Sequence, residues 1–168
     1  MIEVGFSLGS NVGDKLGNLE RALTLLFDGP TVSFGACSSF YRTAPWGYAA
    51  QDWFVNLCAV GRTDLAPDAL LARCKAVEAA VGREKTFRWG PRIIDVDILY
   101  YGTDEIEEPD LAIPHRELFN RGFVLVPLAE IRPDLILSGR DVGAEARRFA
   151  GEPMPVVAPP WTPQSAPD

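Results

Sequence analysis

Basic surplus, histidine, paired cysteine and long apolar runs are all scarce in this chain of 168 residues. Lys and Arg number 16 against 23 Asp and Glu, a net charge of −7. That balance excludes a surface that tracks nucleic acid through its phosphates, and a small anion would need a local basic site. The single histidine, His115, excludes a histidine-rich metal centre. Cys37, Cys58 and Cys74 are odd in number and widely spaced, with no second Cys or His at ligand spacing. Buried thiols in a cytoplasmic protein are expected rather than a disulfide framework or a zinc site. No apolar run nears the roughly 20 residues of a membrane span, so no membrane partner is expected. Met1-Ile2-Glu3-Val4-Gly5 lacks the basic segment and apolar stretch of a secretory leader. No repeat recurs at a solenoid period.

What is present reads as one globular domain, with 47% hydrophobic and 23% charged residues. Residues 2–8 read as a strand, followed by the turn cluster Gly9-Ser10-Asn11 and Gly13. Asp14 is placed to cap a helix running to Phe27, with Leu16, Leu19, Leu23, Leu26 and Phe27 on one face. Asp28-Gly29-Pro30 stops it. Residues 31–43 read as one strand and 53–63 as another, with Phe54, Asn56, Cys58 and Val60 on one face and Val55, Leu57 and Ala59 on the other. Pro67 opens a second helix with Leu70, Leu71, Cys74, Val77 and Val81 as its apolar stripe, and Gly82 closes it. A basic loop from Arg83 to Pro91 leads into a central strand at 92–101. Beyond an acidic turn region at 102–109 come a short extended piece at Pro114-His115, a helical run through Leu125 and Leu128, and a last helix at 141–150.

The order β-α-β-β-α-β predicts an α+β fold: a ferredoxin-like, antiparallel-rich sheet with helices packed on it in three layers, plus a C-terminal helical extension. The domain is expected over 1–150. Residues 151–168 hold six of the chain's 14 prolines, which predicts an extended or disordered tail outside the core.

The sharpest chemical feature is Asp95-Val96-Asp97 within an apolar strand. Alternation sends Ile94, Val96, Ile98 and Tyr100 to the core and puts both carboxylates on the other face, about 7 Å apart. Either that face is merely solvated, or the pair holds a hard cation such as Mg²⁺, which takes only one or two protein carboxylates. Just upstream, Arg83, Lys85, Arg88 and Arg92 face one acid, Glu84. The segment is either a solvated basic loop or a grip for phosphate beside a metal, the parts of a phosphoryl-transfer site. Thr43-Ala44-Pro45-Trp46 with Phe54 and Asn56 fits either loop aromatics capping a sheet or a pocket for a flat heterocycle, stacked on its faces and hydrogen-bonded at its edge. His115 and Arg121 are weak signals by themselves. Gly9 to Lys15 is no P-loop, because Asp14 stands where the lysine is needed and Leu16 follows Lys15. No G-x-G-x-x-G is present.

The run Arg88-Trp89-Gly90-Pro91-Arg92-Ile93-Ile94-Asp95-Val96-Asp97-Ile98-Leu99 closely resembles the signature of the 6-hydroxymethyl-7,8-dihydropterin pyrophosphokinases of the folate pathway. Gly9-Ser10-Asn11, the stretch from Ser39 to Pro45, Phe54-Val55-Asn56, Gly82-Arg83, Ile113-Pro114-His115 and Arg121 to Ile131 extend the likeness over about residues 2–150. The resemblance implies transfer of the terminal pyrophosphoryl group of ATP to the pterin's hydroxymethyl group, releasing AMP. It implies two Mg²⁺ ions at Asp95 and Asp97, with Arg83, Arg92 and Lys85 on the phosphates and Arg88 and Trp89 on a mobile catalytic loop. Glu78, Ile98, His115 and Arg121 match nucleotide-side positions. Thr43, Ala44, Pro45, Trp46, Phe54, Asn56 and Phe123 match the pterin pocket, to which Asp95 also contributes.

Three positions depart from the family pattern. Lys85 stands where a second arginine is common, and it lacks the bidentate fork. Trp46 replaces a smaller apolar residue, and Arg116 follows His115 where some members carry Pro or an aromatic. The competing readings are a metal-dependent phosphohydrolase and a non-catalytic pterin- or nucleotide-binding module. A monomer is expected, with ATP and the pterin as its small-molecule partners.

Overall fold

The computed structural model describes residues 1–44, 52–82 and 93–164. In chain order the elements are β1 (Ile2–Ser10), α1 (Lys15–Leu26), β2 (Val32–Cys37), β3 (Phe40–Thr43), β4 (Phe54–Thr63), α2 (Pro67–Gly82) and β5 (Asp95–Tyr101). There follow β6 (Ile106–Glu108), β7 (Leu111–Ile113), α3 (Gly122–Ile131), β8 (Ile136–Leu137), β9 (Arg140–Asp141), α4 (Val142–Ala146) and β10 (Val156–Ala158). Among the described residues six strands form one antiparallel sheet in the order β10-β3-β4-β1-β5, with β2 also paired to β4. Within it, β5-β1-β4-β3 is the order of the ferredoxin-like split βαβ unit.

The sheet is covered on both faces. Val4, Phe6 and Leu8 of β1, Val55, Leu57 and Ala59 of β4, and Val96 and Ile98 of β5 join Leu19, Leu23 and Leu26 of α1 and Cys74, Val77 and Val81 of α2. On the opposite face Cys58 and Val60 pack with Val124, Leu125 and Leu128 of α3 and Val142 and Ala146 of α4. The two-residue period of β4 and the helical stripes thus fall as the pattern requires. Asp14 caps α1 by accepting from the Gly17 N–H at 3.1 Å. All three cysteines are free and buried. Burial lifts the thiols, Cys37 to about 11, Cys74 to about 12 and Cys58 well above its ordinary value, so they act as small apolar groups.

The structure departs from the sequence pattern in four places. The single strand expected at 31–43 is two. Cys37 pairs with Ala59 and Tyr41 with Asn56, four steps against three, so one extra residue is accommodated at Ser38-Ser39. The Ser38 hydroxyl accepts the Cys58 N–H at 3.0 Å, and Glu130 of α3 accepts from the Ser39 N–H, the Ser39 hydroxyl and the Tyr41 hydroxyl.

Second, Tyr100 does not share a face with Val96 and Ile98. Phe6 pairs with Ile98 and Gly5 with Tyr100, so Leu99 is bulged. Leu99 and Tyr100 pack on the α3 side and Tyr101 takes the α1–α2 side. The tyrosine ring occupies the space a Cβ on Gly5 would need. Its hydroxyl donates to Glu3 at 2.6 Å, which also receives Arg132 Nε at 2.9 Å.

Third, the acidic turn region contains a small hairpin, β6–β7, and the expected last helix is a short α4 continued by a 3-10 turn at Arg147–Phe149. Fourth, the proline-rich segment expected outside the core contributes β10 to the sheet edge and seats Trp161 against Phe27 and Phe34. Its apolar residues, hidden among prolines in the sequence, reach a groove that exists only once β3 and α1 are assembled.

Burial alone would raise the Glu3 pKa, but the Tyr100 and Arg132 hydrogen bonds hold the carboxyl below its usual value of 4.5. A depressed carboxyl gives stability at neutral pH that is lost as pH falls through the folded-state pKa. Glu3→Gln is expected to cost about 1 kcal/mol at pH 7, as a partly exposed charged hydrogen bond would. It should also flatten the fall in melting temperature below pH 4.5. Thermal unfolding from pH 7 to 3 checks this, and equal acid slopes in both proteins would refute it.

Candidate active site

β1 shapes the site by what it omits. Its α3-facing positions are Gly5, Ser7 and Gly9, and beyond the Tyr100 ring this bare stretch floors a cavity of about 180 Å³. Ser7 and Gly9 line it with Thr43 and Ala44, with Phe54 and Asn56 of β4, with Asp95 and Asp97 of β5, and with Arg121 and Phe123 at the start of α3. Asp97 lies opposite Ser7 and Asp95 opposite Gly9 in the β1–β5 ladder. Both carboxylates, half-buried, therefore stand on the cavity floor side by side.

Asn56 is buried, and its Nδ2 donates to Thr43 Oγ1 at 2.6 Å. Its Oδ1 sits where a Cβ on Gly9 would be. The amide is thus locked in one orientation, as recognition of a heterocycle edge requires. Phe54 and Phe123 supply aromatic walls, and the Arg121 guanidinium lies 5.5 Å from the Phe123 ring centre.

A second hollow of about 350 Å³ runs along the outer edge of β5. Ile98, His115, Lys75 and Arg116 contribute to it, and Asp97 lines both hollows. His115 is anchored through its backbone N–H to Leu99 O at 2.9 Å. Its Nδ1 accepts the Glu117 N–H at 3.1 Å, which leaves Nε2 to carry the proton of the neutral ring. Burial lowers the imidazole pKa against the opposing pull of Asp97, so the ring is uncharged at neutral pH.

The start of β5 is fastened from two sides. Glu78 Oε2 accepts the Val96 N–H at 2.9 Å, between the two aspartates, while Oε1 meets Lys75 Nζ at 3.2 Å. The buried Ser10 hydroxyl donates to Ile93 O at 2.6 Å, and Asn18 Nδ2 donates to Ser10 Oγ at 3.2 Å.

The structure gathers Thr43, Ala44, Phe54, Asn56, Asp95 and Phe123, the described residues grouped by resemblance with the pterin, around one cavity. Ile98 and His115 lie in the second hollow, whereas Arg121, grouped with them by resemblance, opens on the first. Glu78 lines neither and holds the β5 backbone. Pro45, Trp46, Arg83, Lys85, Arg88, Trp89 and Arg92 lie outside the described residues. Ser7 and Gly9 join the site unpredicted: Gly9 reads as a turn residue in the sequence but lies in β1 opposite Asn56, and the alternation of small residues along β1 is the signal of a face left open. Among the described residues no three His, Cys, Asp or Glu side chains cluster as a metal cage. A cation at the aspartate pair would draw its other ligands from substrate oxygens or water, as Mg²⁺ does.

Two abutting hollows that share one carboxylate offer room for two ligands side by side, an arrangement that suits a two-substrate group-transfer enzyme. Residues 5–133 match the model of the 7,8-dihydro-6-hydroxymethylpterin-pyrophosphokinase (HPPK) family, and the chain belongs to that family. It is 46% identical over 142 residues to the 2-amino-4-hydroxy-6-hydroxymethyldihydropteridine pyrophosphokinase of Methylorubrum extorquens, covering 84% of this chain and 90% of that one. The protein of that name from Haemophilus influenzae is 37% identical over 155 residues, 92% of this chain and 97% of its own. Among solved structures, an HPPK-DHPS crystallised with substrates superposes with a TM-score of 0.73 at 16% identity, over 89% of this chain and 43% of that chain, a likeness of fold.

Gly9→Ala would drive its methyl into the buried Asn56 amide and force it off Thr43. Overpacking of this kind typically costs about 1–3 kcal/mol. The expected result is a lower melting temperature and at least fivefold weaker binding in the first cavity. Calorimetric titration with a pterin checks this, and unchanged affinity would show that the amide is not held as described.

Proposed function

We propose that this chain carries out the reaction of its family at the paired hollows, with Asp95 and Asp97 at their junction. It transfers pyrophosphate from ATP to the hydroxymethyl group of 6-hydroxymethyl-7,8-dihydropterin, releasing AMP, a step of folate biosynthesis. The observation that carries the assignment of the site is that Asp97 lines both hollows, so groups bound in each meet at that carboxylate.

The pterin lies in the first cavity, its faces against Phe54 and Phe123 and its polar edge on Asn56 and Thr43. Ala44 and Asp95 line that pocket, and the resemblance adds Pro45 and Trp46 to the pterin-binding residues. ATP runs along the β5 edge beside Ile98 and His115, whose Nε2–H donates to a ligand oxygen. Arg83, Arg92 and Lys85 bind its phosphates, and Arg88 and Trp89 contribute to the same nucleotide site. Arg121 supplies positive charge from the pterin side. Glu78 contributes to the nucleotide side indirectly, by fixing the backbone between the two aspartates.

The pterin hydroxyl attacks the β-phosphorus in line, and AMP leaves. Asp95 or Asp97 orients the hydroxyl and is placed to accept its proton. The paired carboxylates fit two Mg²⁺ ions, since hard oxygen donors and few protein ligands are what that ion takes. When bound, Mg²⁺ neutralises charge on the phosphate oxygens. Positioning and electrostatics then supply most of the rate.

The chain acts as a monomer in the cytoplasm, and the three free buried thiols support the compartment. No described helix is long and apolar enough to cross a membrane. The net charge of −7 argues against nucleic acid as a partner.

Asp97→Ala is expected to retain the fold and lose most AMP formation, by about 10²-fold or more, as loss of a pre-placed charge at a transfer site does. Turnover near wild type at ordinary Mg²⁺ would overturn the site. Asn56→Ala should weaken pterin binding about five- to 150-fold, the effect of a lost buried hydrogen bond, and leave ATP affinity nearly unchanged. Separate calorimetric titrations distinguish the two ligands, and equal weakening of both would collapse the division into two hollows.

A further inference from the structure

The last stretch of chain lies beyond residue 133, where the family match ends, yet it is built into the sheet. The Arg42 N–H donates to Pro155 O at 2.8 Å, and Val156 and Ala158 pair with Tyr41 and Phe40. Three residues later Trp161 stacks on Phe27 at 6.2 Å between ring centres and meets Phe34 edge-on at 5.5 Å. The segment therefore grips the sheet at β3 and is anchored again beside α1 and β2.

The strand it grips needs support. β3 has four residues, and only Tyr41, Arg42 and Thr43 pair with β4. A strand this short at a sheet edge is weakly held by one ladder. It ends at Thr43, which holds Asn56 in the first cavity, and Ala44 follows on the cavity wall. On its outer side Val157 lies in a shallow hollow with Arg42, Trp53 and Phe54, where the Arg42 guanidinium sits 3.9 Å above the Trp53 ring. Pro155 and Pro159-Pro160 bracket β10. Lacking N–H groups, they keep it short and blunt the new edge against another strand.

We infer that residues 153–161 are a strand supplied in cis that holds β3 in register, and that Val156–Ala158 and Trp161 are positioning elements for pterin binding. This rests on the assignment of the first cavity to the pterin.

The test compares the full chain with a chain ending at Gly151 and with Trp161→Ala. Pterin affinity should fall about fivefold in both, with ATP affinity and turnover at saturating pterin within twofold of wild type. A synthetic peptide of residues 152–164 added to the truncated chain should restore pterin affinity. Unchanged pterin affinity in the folded variants would overturn the inference, as would pterin and ATP affinities falling together. Should the truncated chain fail to fold, Trp161→Ala gives the same reading. Asn56→Ala run in parallel separates the two claims: if it leaves pterin affinity intact the cavity assignment fails, and if it alone weakens binding only the strand's role fails.

Discussion

The architecture turns on the bare face of the central strand. β1 has to give Val4, Phe6 and Leu8 to the α1–α2 core, while its other face carries only Gly5, Ser7 and Gly9. Space left by missing side chains in a close-packed protein is filled by neighbours, and the way it is filled differs along the strand. At Gly5 the Tyr100 ring covers the backbone, and at Gly9 the Asn56 carbonyl does. Between them Ser7 is too small to close the gap, and the cavity remains. The strand that builds the core on one side therefore builds the site on the other, and neither can shift without the other.

The bulge at Leu99 follows from the same constraint. Unbroken alternation along β5 would send Tyr100 to the α1–α2 side and leave the Gly5 backbone uncovered. One extra residue moves the ring across, so the aspartates keep the cavity face while Tyr100 caps its far end and reaches Glu3. Bulges recur beside active sites because they re-aim side chains without ending the sheet. The start of the same strand is held by the side chains of Ser10 and Glu78, which fix the backbone on either side of Asp95. A rigid dyad lowers the reorganisation needed when charge arrives.

Substrate chemistry also explains how an acidic chain acts on a polyanion. The net charge is negative, and the described part of the first cavity carries two carboxylates against Arg121. Four of the 16 basic residues, Arg83, Lys85, Arg88 and Arg92, fall within ten positions of sequence next to the strand that bears the dyad. Phosphate binding as proposed rests on this local cluster and not on the charge of the whole chain.

Local chemistry by itself determined much of this protein. The Asp14 cap, both helical stripes, the two faces of β4 and the side-by-side aspartates all follow from periods of 3.6 and 2 and from capping, which act within a few residues. The separated motifs identified the family. What only the tertiary structure decided is long-range: the break at Ser38-Ser39, the crossing of Tyr100, the alignment of Ser7 and Gly9 with the dyad, and the seat of Trp161. Each depends on which strand lies beside which, and a bulge or a filled glycine gap has no signature inside its own segment. The tail shows the difference most plainly. Six prolines read locally as a chain with little to bury, but the edge of β3 and the rings of Phe27 and Phe34, brought together from three elements, offer the partners its own sequence lacks.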